Sequence, residues 1–257
     1  MKTIIYDGSF SGWLTVVFHV YEYKWTDVNI LPVAKQQHSL FGDIHQVETD
    51  EAKADRVWHA LKKKITNEYA MQLFQTFLSE EEHVENVLLQ YVRYAFSSQQ
   101  KITHNYSNSA VLYVSQTARK VHREKHRMEA FVRFQCLKDG LYYATIEPDY
   151  NVLPLIKKHF EERYADQRWM IYDVKRHYGL YYDLNSVDLI SINFENTVAK
   201  NGKPSSEILN EGEVQYQLLW KDYFKSVTIA ARKNIKLHVQ HMPTRYWKYL
   251  IEKLPGR

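Results

Sequence analysis

The residues best suited to chemistry lie between positions 122 and 183, in the segments HREKHRMEAFVRF, EPDYNVLPLIKKHFEERY and RWMIYDVKRHYGLYYD. Arginine, histidine and acidic residues are interspersed there among residues that normally build a hydrophobic core. Burying such a polar group costs several kcal/mol unless it is paired or binds a ligand. The region is therefore either an internal network of ion pairs or a site for an anionic ligand.

Two histidines in this region, His122 and His126, stand four residues apart, which places them on one face of a helix. A zinc protease of this type needs a glutamate directly after the first histidine. Glu124 instead comes two residues later and projects from a different face. We therefore predict no metal site, and we favour a solvated or phosphate-facing basic helix over acid–base catalysis for this segment.

Guanidinium groups are the candidate anion ligands, because their planar shape matches phosphate and carboxylate with two hydrogen bonds. The alternative for each arginine is an internal salt bridge, with Glu124, Glu147 or Asp173 as candidate partners. The residues predicted to bind nucleic acid are Arg127, Arg133, Arg163, Lys175, Arg176, Arg232 and Arg245.

Four residues are candidates for proton transfer. They are Glu124, His126, His159 and Asp173. His159 and Arg163 are four residues apart on one predicted helix, so the two side chains are expected side by side. The alternative for His159 is a structural place in the core or at its rim.

Aromatic residues accompany the charged ones. Trp169 and Tyr172 either stack on a base or are ordinary sheet residues. In the tail, aromatic and basic residues alternate, which fits single-stranded nucleic acid but also describes an amphipathic helix with a charged outer face. The tail residues are Trp220, Phe224, Tyr246 and Trp247 with Lys221, Lys225, Arg232 and Arg245.

The formal net charge of +4 is concentrated in two segments. Residues 119–133 hold six Lys and Arg against two Glu, and residues 221–257 hold nine against two acids. Because these excesses exceed the total, the rest of the chain is slightly acidic. Segregated positive charge favours contact with phosphate, although basic surface patches are common in proteins of many functions.

Several classes of protein are excluded by what the sequence lacks. The single cysteine, Cys136, excludes a disulfide framework, a cysteine zinc site and a three-cysteine iron–sulfur cluster within the chain. The P-loop, dinucleotide-binding and serine-elbow motifs are missing, so we predict no cofactor. No secretion signal and no apolar run near 18 residues is found, and we expect a cytoplasmic protein.

The hydrophobic pattern predicts an α+β fold in one compact domain, residues 1–257. A mainly helical part, residues 1–128, contains a strand at 2–6, helices at 10–23, 49–65, 67–78, 81–96 and 108–128, and a loop or weak strand at 29–41. Residues 129–190 are predicted to form an antiparallel ββαββ unit, with Arg133 in its first strand. Residues 213–257 form a basic helical tail, with helices at 215–234 and 244–254.

Five segments recur together in a family that this chain resembles. They are YDGSFSGWL at 6–14, EKHRMEAFVRF at 124–134, PDYNVLPLIKKHFEER at 148–163, WMIYDVKR at 169–176, and a tail at 219–247 that begins LW and ends MPTRYW. The set resembles a bacterial family of uncharacterised proteins described as probable DNA metabolism or putative DNA repair proteins, with a domain of unknown function. Some of its members carry a uracil-DNA glycosylase-like domain after this region.

The resemblance implies a role linked to DNA and a separately encoded radical-SAM partner. Our first hypothesis is therefore a DNA-binding accessory protein in repair or modification. The alternatives are an enzyme that acts on a damaged base or nucleotide, and a protein-interaction scaffold whose arginines only stabilise the fold. The resemblance supplies no established catalytic residue.

Overall fold

The computed structural model describes residues 1–35, 44–99, 102, 104–191, 204, 208–226 and 234–253. Tertiary contacts divide the chain into two compact units, Met1–His122 and Arg123–Arg257, which are called the first and the second unit below. The prediction of one domain stays a prediction. No helix among the described residues is long and apolar enough to cross a membrane.

The first unit contains a three-stranded parallel sheet. Strand β1 (Lys2–Tyr6) lies between β2 (Val28–Pro32) and β3 (Ile44–Gln46). The loop or weak strand predicted at residues 29–41 is thus an ordered strand at its beginning, and residues 36–43 lie outside the described ranges. Ile4 and Ile30, paired across this sheet, are both fully buried. Strand β2 is an edge strand, a place where a proline such as Pro32 is tolerated.

Four helices surround this sheet or follow it: α1 (Phe10–Glu22), α2 (Glu51–Phe77), α3 (Val84–Ser97) and α4 (Ser109–Phe131). Within α2, Thr66 has a φ of 72° and interrupts the helical backbone. The separate helices predicted at residues 49–65 and 67–78 are therefore confirmed as two helical segments. The boundary between the two units falls within α4.

The second unit holds a five-stranded sheet with its strands in chain order. They are β4 (Gln135–Cys136), β5 (Tyr142–Ile146), β6 (Trp169–Asp173), β7 (Tyr178–Tyr182) and β8 (Val187–Ile190). The α+β class is confirmed, but the prediction of an entirely antiparallel sheet is wrong, because β5 and β6 are parallel. Helix α5 (Leu153–Arg163) connects them, and a crossover of this kind brings the chain back in the same direction.

The first predicted strand of this unit, residues 130–137, is largely helix and loop. Helix α4 continues to Phe131, and β4 has only two residues. Met128 and Val132 are buried one helical turn apart, so the apolar and polar alternation here is the end of a helical stripe. Arg133 consequently lies between α4 and β4 and not on a sheet face.

The tail contains α6 (Glu213–Ser226) and α7 (Ile235–His241), followed by 3-10 turns at Thr244–Tyr249 and Ile251–Lys253. Residues 227–233, within the single helix predicted at 215–234, lie outside the described ranges. The final helix predicted at 244–254 is replaced by the two tight turns. Pro243 precedes the first of them, as expected for a residue with a fixed φ.

Candidate functional site

The candidate site is an open groove in the second unit with a volume of about 1490 Å³. Its walls come from the end of α4, from α5 and from α6. One third of the lining residues are aromatic, and six charged or imidazole side chains accompany them. Its residues include Phe134, Tyr142, Phe160, Tyr164, Tyr216, Trp220 and Tyr223 among the aromatics, and His126, Glu129, Arg133, His159, Arg163 and Glu213 among the titratable groups.

The α6 wall presents rings to solvent. Tyr216 is 70% exposed, Tyr223 57% and Trp220 38%. On the facing wall, Phe160 and Tyr164 lie nearly parallel, with 10° between their planes. A contiguous exposed apolar patch can mark a site for a ligand or partner, and every nucleobase offers a flat face on which such rings stack.

At the α4–α5 side of the groove, two histidines flank one carboxylate. The Nδ1 atoms of His126 and His159 lie 3.8 and 3.9 Å from opposite oxygens of Glu129. Lys125 Nζ lies 2.8 Å from Glu129 Oε1. Glu129 is not among the site residues predicted from the sequence. The available signal was its position four residues after Lys125 and three after His126, which places all three on one helix face.

Arg163 is the guanidinium available to a ligand in this groove. Its side chain is exposed, and it makes no hydrogen bond or ion pair with any residue that the structure describes. Its closest aromatic neighbour is the Tyr164 ring, 5.8 Å away. It lies one turn after His159 on α5, as the sequence predicts.

Arg133 also lines the groove but is held by an internal salt bridge, the alternative that the sequence left open. Arg133 Nη2 lies 2.8 Å from Glu252 Oε1 and Arg133 Nε lies 3.4 Å from Glu252 Oε2. The Trp220 indole N–H donates to Glu252 Oε2 at 3.0 Å, and the Arg133 guanidinium lies 5.5 Å from the Trp220 ring centre. Glu252 thus fixes both an arginine and an aromatic residue of the groove wall.

Glu124 forms a separate buried cluster outside the groove lining. Its side chain is 1% exposed and accepts hydrogen bonds from the Tyr246 hydroxyl and, at 2.9 Å, from the Asp149 backbone N–H. Arg245 Nη2 lies 3.3 Å and Arg127 Nη1 3.5 Å from Glu124 Oε2. The structure thus brings Glu124, Arg127 and Arg245 together, as internal ion pairs.

A second internal cluster surrounds the turn after β6. Asp173 is fully buried, and its Oδ2 lies 2.9 Å from Arg176 Nη1. Asp173 Oδ1 also accepts the backbone N–H of Lys175 at 2.9 Å, and Lys175 Nζ donates to the Asp149 carbonyl at 3.1 Å. Burial raises the pKa of Asp173, and the hydrogen bond from Arg176 offsets only part of that effect.

The remaining predicted residues lie elsewhere. Arg232 falls outside the described residues, as does the side chain of Phe224. Trp169, Tyr172 and Tyr246 are buried, so they are structural aromatics. Among the described residues there is no cluster of three or more His, Cys, Asp or Glu side chains placed to hold a metal ion. The groove therefore contains four of the predicted site residues: His126, Arg133, His159 and Arg163.

The ion pair between Glu252 and Arg133 predicts that the second unit loses stability at low pH. Burial favours the neutral form of Glu252, but the hydrogen bond and charge of Arg133, the backbone N–H of Glu252 and the Trp220 N–H together outweigh this and lower its pKa from the ordinary value of 4.5. A carboxylate with a lowered pKa stabilises the fold above its unfolded pKa, and the contribution is lost as the pH falls through the folded pKa. The unit should therefore lose stability below about pH 4.5.

The variant Glu252→Gln tests this prediction. It removes the titrating group, so the free energy of unfolding should depend less steeply on pH than in the wild type below about pH 4.5. Asp173 has a raised pKa, so its contribution to stability increases as the pH falls. Comparing the variant with the wild type cancels this contribution, because Asp173 is present in both. Urea unfolding measured between about pH 3 and 6 gives both slopes, and identical slopes would contradict the role of Glu252.

Comparison with known proteins gives one family and a distant structural likeness. The profile of a family described as a domain of unknown function, DUF4130, matches residues 82–252. No curated protein matches the chain. A solved structure of the pGpG-specific phosphodiesterase PggH from Vibrio cholerae is 9% identical, with a TM-score of 0.32 over 88% of this chain and 99% of that one. A TM-score this low supports no conclusion about shared fold or activity.

Proposed function

The chain belongs to the DUF4130 family, and we propose that it is a DNA-binding protein of repair or modification that holds an unpaired base in the groove of its second unit. The observation that carries the proposal is the pairing of exposed rings with one available guanidinium. Tyr216, Trp220 and Tyr223 supply the rings, and Arg163 supplies the positive charge.

The aromatic wall supports recognition of a base. Stacking of a base on an aromatic side chain contributes roughly 1–3 kcal/mol, and it requires access to a ring face. The groove, at about 1490 Å³, exceeds the roughly 300–1,000 Å³ that small-molecule pockets usually occupy. A base with its sugar and the adjoining phosphates is a ligand of suitable size.

The charges of the groove favour a base over an extended phosphate backbone. Two arginines and two glutamates line it, and Arg133 is already paired with Glu252. Glu213 accepts hydrogen bonds from the Cys136 N–H and the Gln217 amide at 2.9 and 3.0 Å. Arg163 is then the group that can meet a phosphate next to the stacked base.

Positive charge outside the groove supports contact with the rest of a DNA strand. The second unit contains 22 Lys and Arg and 17 Asp and Glu, a net charge of +5, whereas the first unit contains 12 and 13, a net charge of −1. Positive surface charge raises the affinity for nucleic acid of any sequence, because it attracts the phosphates. The excess belongs to the same unit as the aromatic groove.

The proposal includes a separate catalytic partner. The family resemblance in the sequence implies a radical-SAM protein, and the single cysteine means that this chain does not supply three cysteine ligands for an iron–sulfur cluster. In this arrangement the chain presents an unpaired base and the partner modifies it. Extruding a base from a duplex costs a few kcal/mol, so single-stranded or damaged DNA should bind more tightly than intact duplex.

Replacing Arg163 tests the phosphate contact. Arg163→Gln should weaken binding to a single-stranded oligonucleotide and lower the slope of log affinity against log salt by about 0.7, the value for one phosphate of a single strand. Fluorescence anisotropy across a salt series measures both. Arg123→Gln is the matched control, because Arg123 is exposed and lies outside the groove lining.

Two results would count against the proposal. One is the absence of binding to single-stranded and mismatched DNA at low salt. The other is an equal change in slope for the Arg163 and Arg123 variants, which would place the phosphate contacts on general surface charge instead of in the groove.

A further inference from the structure

We propose that the groove hydrolyses a phosphodiester bond of the single-stranded DNA that it binds, with His126 and His159 as the general acid–base pair. This inference rests on the proposed DNA binding and adds a reaction to it. It is carried by the arrangement of two imidazoles around Glu129, beside the Arg163 guanidinium, which makes no hydrogen bond or ion pair with a described residue.

The two imidazoles are oriented alike. They come from different helices, α4 and α5, and each turns its Nδ1 towards Glu129. The distances of 3.8 and 3.9 Å are longer than a hydrogen bond, but such contacts are often long in a ligand-free site and shorten on binding. Neither Nε2 atom hydrogen-bonds to a described residue, so each ring keeps one nitrogen available for proton transfer.

Arg163 determines which bond of a nucleotide lies nearest to these rings. Side chains four residues apart on a helix are neighbours, with about 5–6 Å between their Cβ atoms. A phosphate gripped by Arg163 therefore lies beside His159, whereas the base stacks on the α6 rings farther along the groove. The reacting atom in this arrangement is phosphorus.

The proposed step is hydrolysis. One neutral imidazole takes a proton from a water molecule, whose oxygen bonds to phosphorus. The ester P–O bond breaks, and its electron pair stays on the leaving oxygen, which takes a proton from the other, protonated imidazole. The products are a phosphate monoester and an alcohol, and a proton returned between the rings through solvent restores the starting state. General acid–base catalysis of this kind contributes about 10²–10⁴-fold.

Glu129 is a positioning residue in this mechanism. Lys125 Nζ lies 2.8 Å from Glu129 Oε1 and fixes the carboxylate. The Glu129 carboxylate in turn orients both imidazole rings and does not contact the substrate. Glu124 and Asp173, the acids that the sequence offered for proton transfer, are instead engaged in the internal clusters described above.

The test uses the full chain and a fluorescently labelled single-stranded DNA oligonucleotide, with products resolved by gel electrophoresis in buffer containing EDTA. We expect slow cleavage by the wild type, and a loss of about 100-fold or more in His126→Asn and His159→Asn. Binding by both variants should change less than about threefold, since neither histidine contributes a stacking ring. His122→Asn is the control, because His122 is exposed on the same helix and outside the groove lining.

Glu129→Gln provides a readout that a purely structural role would not change. Loss of the carboxylate charge leaves both rings less well oriented, so the cleavage rate at saturating DNA should fall while DNA affinity and circular dichroism stay the same, and Glu129→Asp, which retains a carboxylate, should recover part of the rate. An unchanged cleavage rate in Glu129→Gln would remove Glu129 from the mechanism.

Three results separate the proposals. Binding without cleavage by the wild type would overturn this inference and leave the proposed function in place. Cleavage that persists in both histidine variants would assign the activity to another site and also overturn it. Absence of binding would overturn the proposed function itself.

Discussion

Replacing Glu124 by alanine is expected to lower the free energy of unfolding by about 2–4 kcal/mol, because two groups that donate to this buried carboxylate lose their acceptor, and an unsatisfied buried polar group costs about 1–3 kcal/mol. The Tyr246 hydroxyl and the Asp149 N–H lose their acceptor, and Arg127 and Arg245 lose their shared carboxylate. Two of these partners, Arg245 and Tyr246, come from the tail, so the change should also loosen the turn at Thr244–Tyr249.

Chemical denaturation monitored by tryptophan fluorescence measures this effect. Glu124→Gln should lose less than Glu124→Ala, because its amide oxygen can still accept from Tyr246 and Asp149. Glu162→Ala is the surface control: Glu162 is exposed and makes a 3.6 Å pair with Lys158, which is expected to contribute less than about 1 kcal/mol. A Glu124→Ala variant no less stable than this control would show that the cluster does not hold the tail.

Replacing Trp220 by alanine is expected to weaken binding of single-stranded DNA by about 5- to 150-fold, the range that corresponds to the loss of 1–3 kcal/mol of stacking. The Trp220 side chain is 38% exposed, and its ring is held in place by its N–H bond to Glu252. A ring that is already oriented loses little entropy on binding, which favours affinity.

The salt dependence distinguishes this effect from that of Arg163. Trp220 carries no charge, so Trp220→Ala should reduce affinity at every salt concentration and leave the slope unchanged. Trp220→Phe retains a ring and should lose less. Tyr106→Ala in the first unit is the control, since Tyr106 is also exposed. Equal affinities for Trp220→Ala and the wild type would exclude the α6 wall as a base-binding surface.

The secondary structure was largely predictable because it depends on local pattern. The apolar spacing in α1, α3 and α4 predicts helices close to those observed, and the interruption at Thr66 was predicted between two helical segments. The direction of strand pairing in the second sheet could not be predicted from local pattern. Both strand directions give the same alternation, so only the route of the chain through α5 makes β5 and β6 parallel.

The site was predictable only in part. His159 and Arg163 were expected together because four residues on a helix bring side chains into contact, and both line the groove. The partner of Arg133 could not be predicted, because Glu252 is 119 residues away in the chain. Glu129 was not predicted as a site residue. Its contact with His159 joins α4 to α5, and such a contact depends on how the two helices pack.

The sequence by itself determined the mixed α and β composition, the concentration of basic residues from position 119 onwards, and the i,i+4 pairing of His159 with Arg163. The tertiary structure decided which arginines are available: Arg127, Arg133, Arg176 and Arg245 are neutralised internally, whereas Arg163 faces the groove. The physical reason is that an arginine already paired with a carboxylate of the same protein has less charge to offer a ligand. Which arginines are paired depends on contacts between residues far apart in the chain.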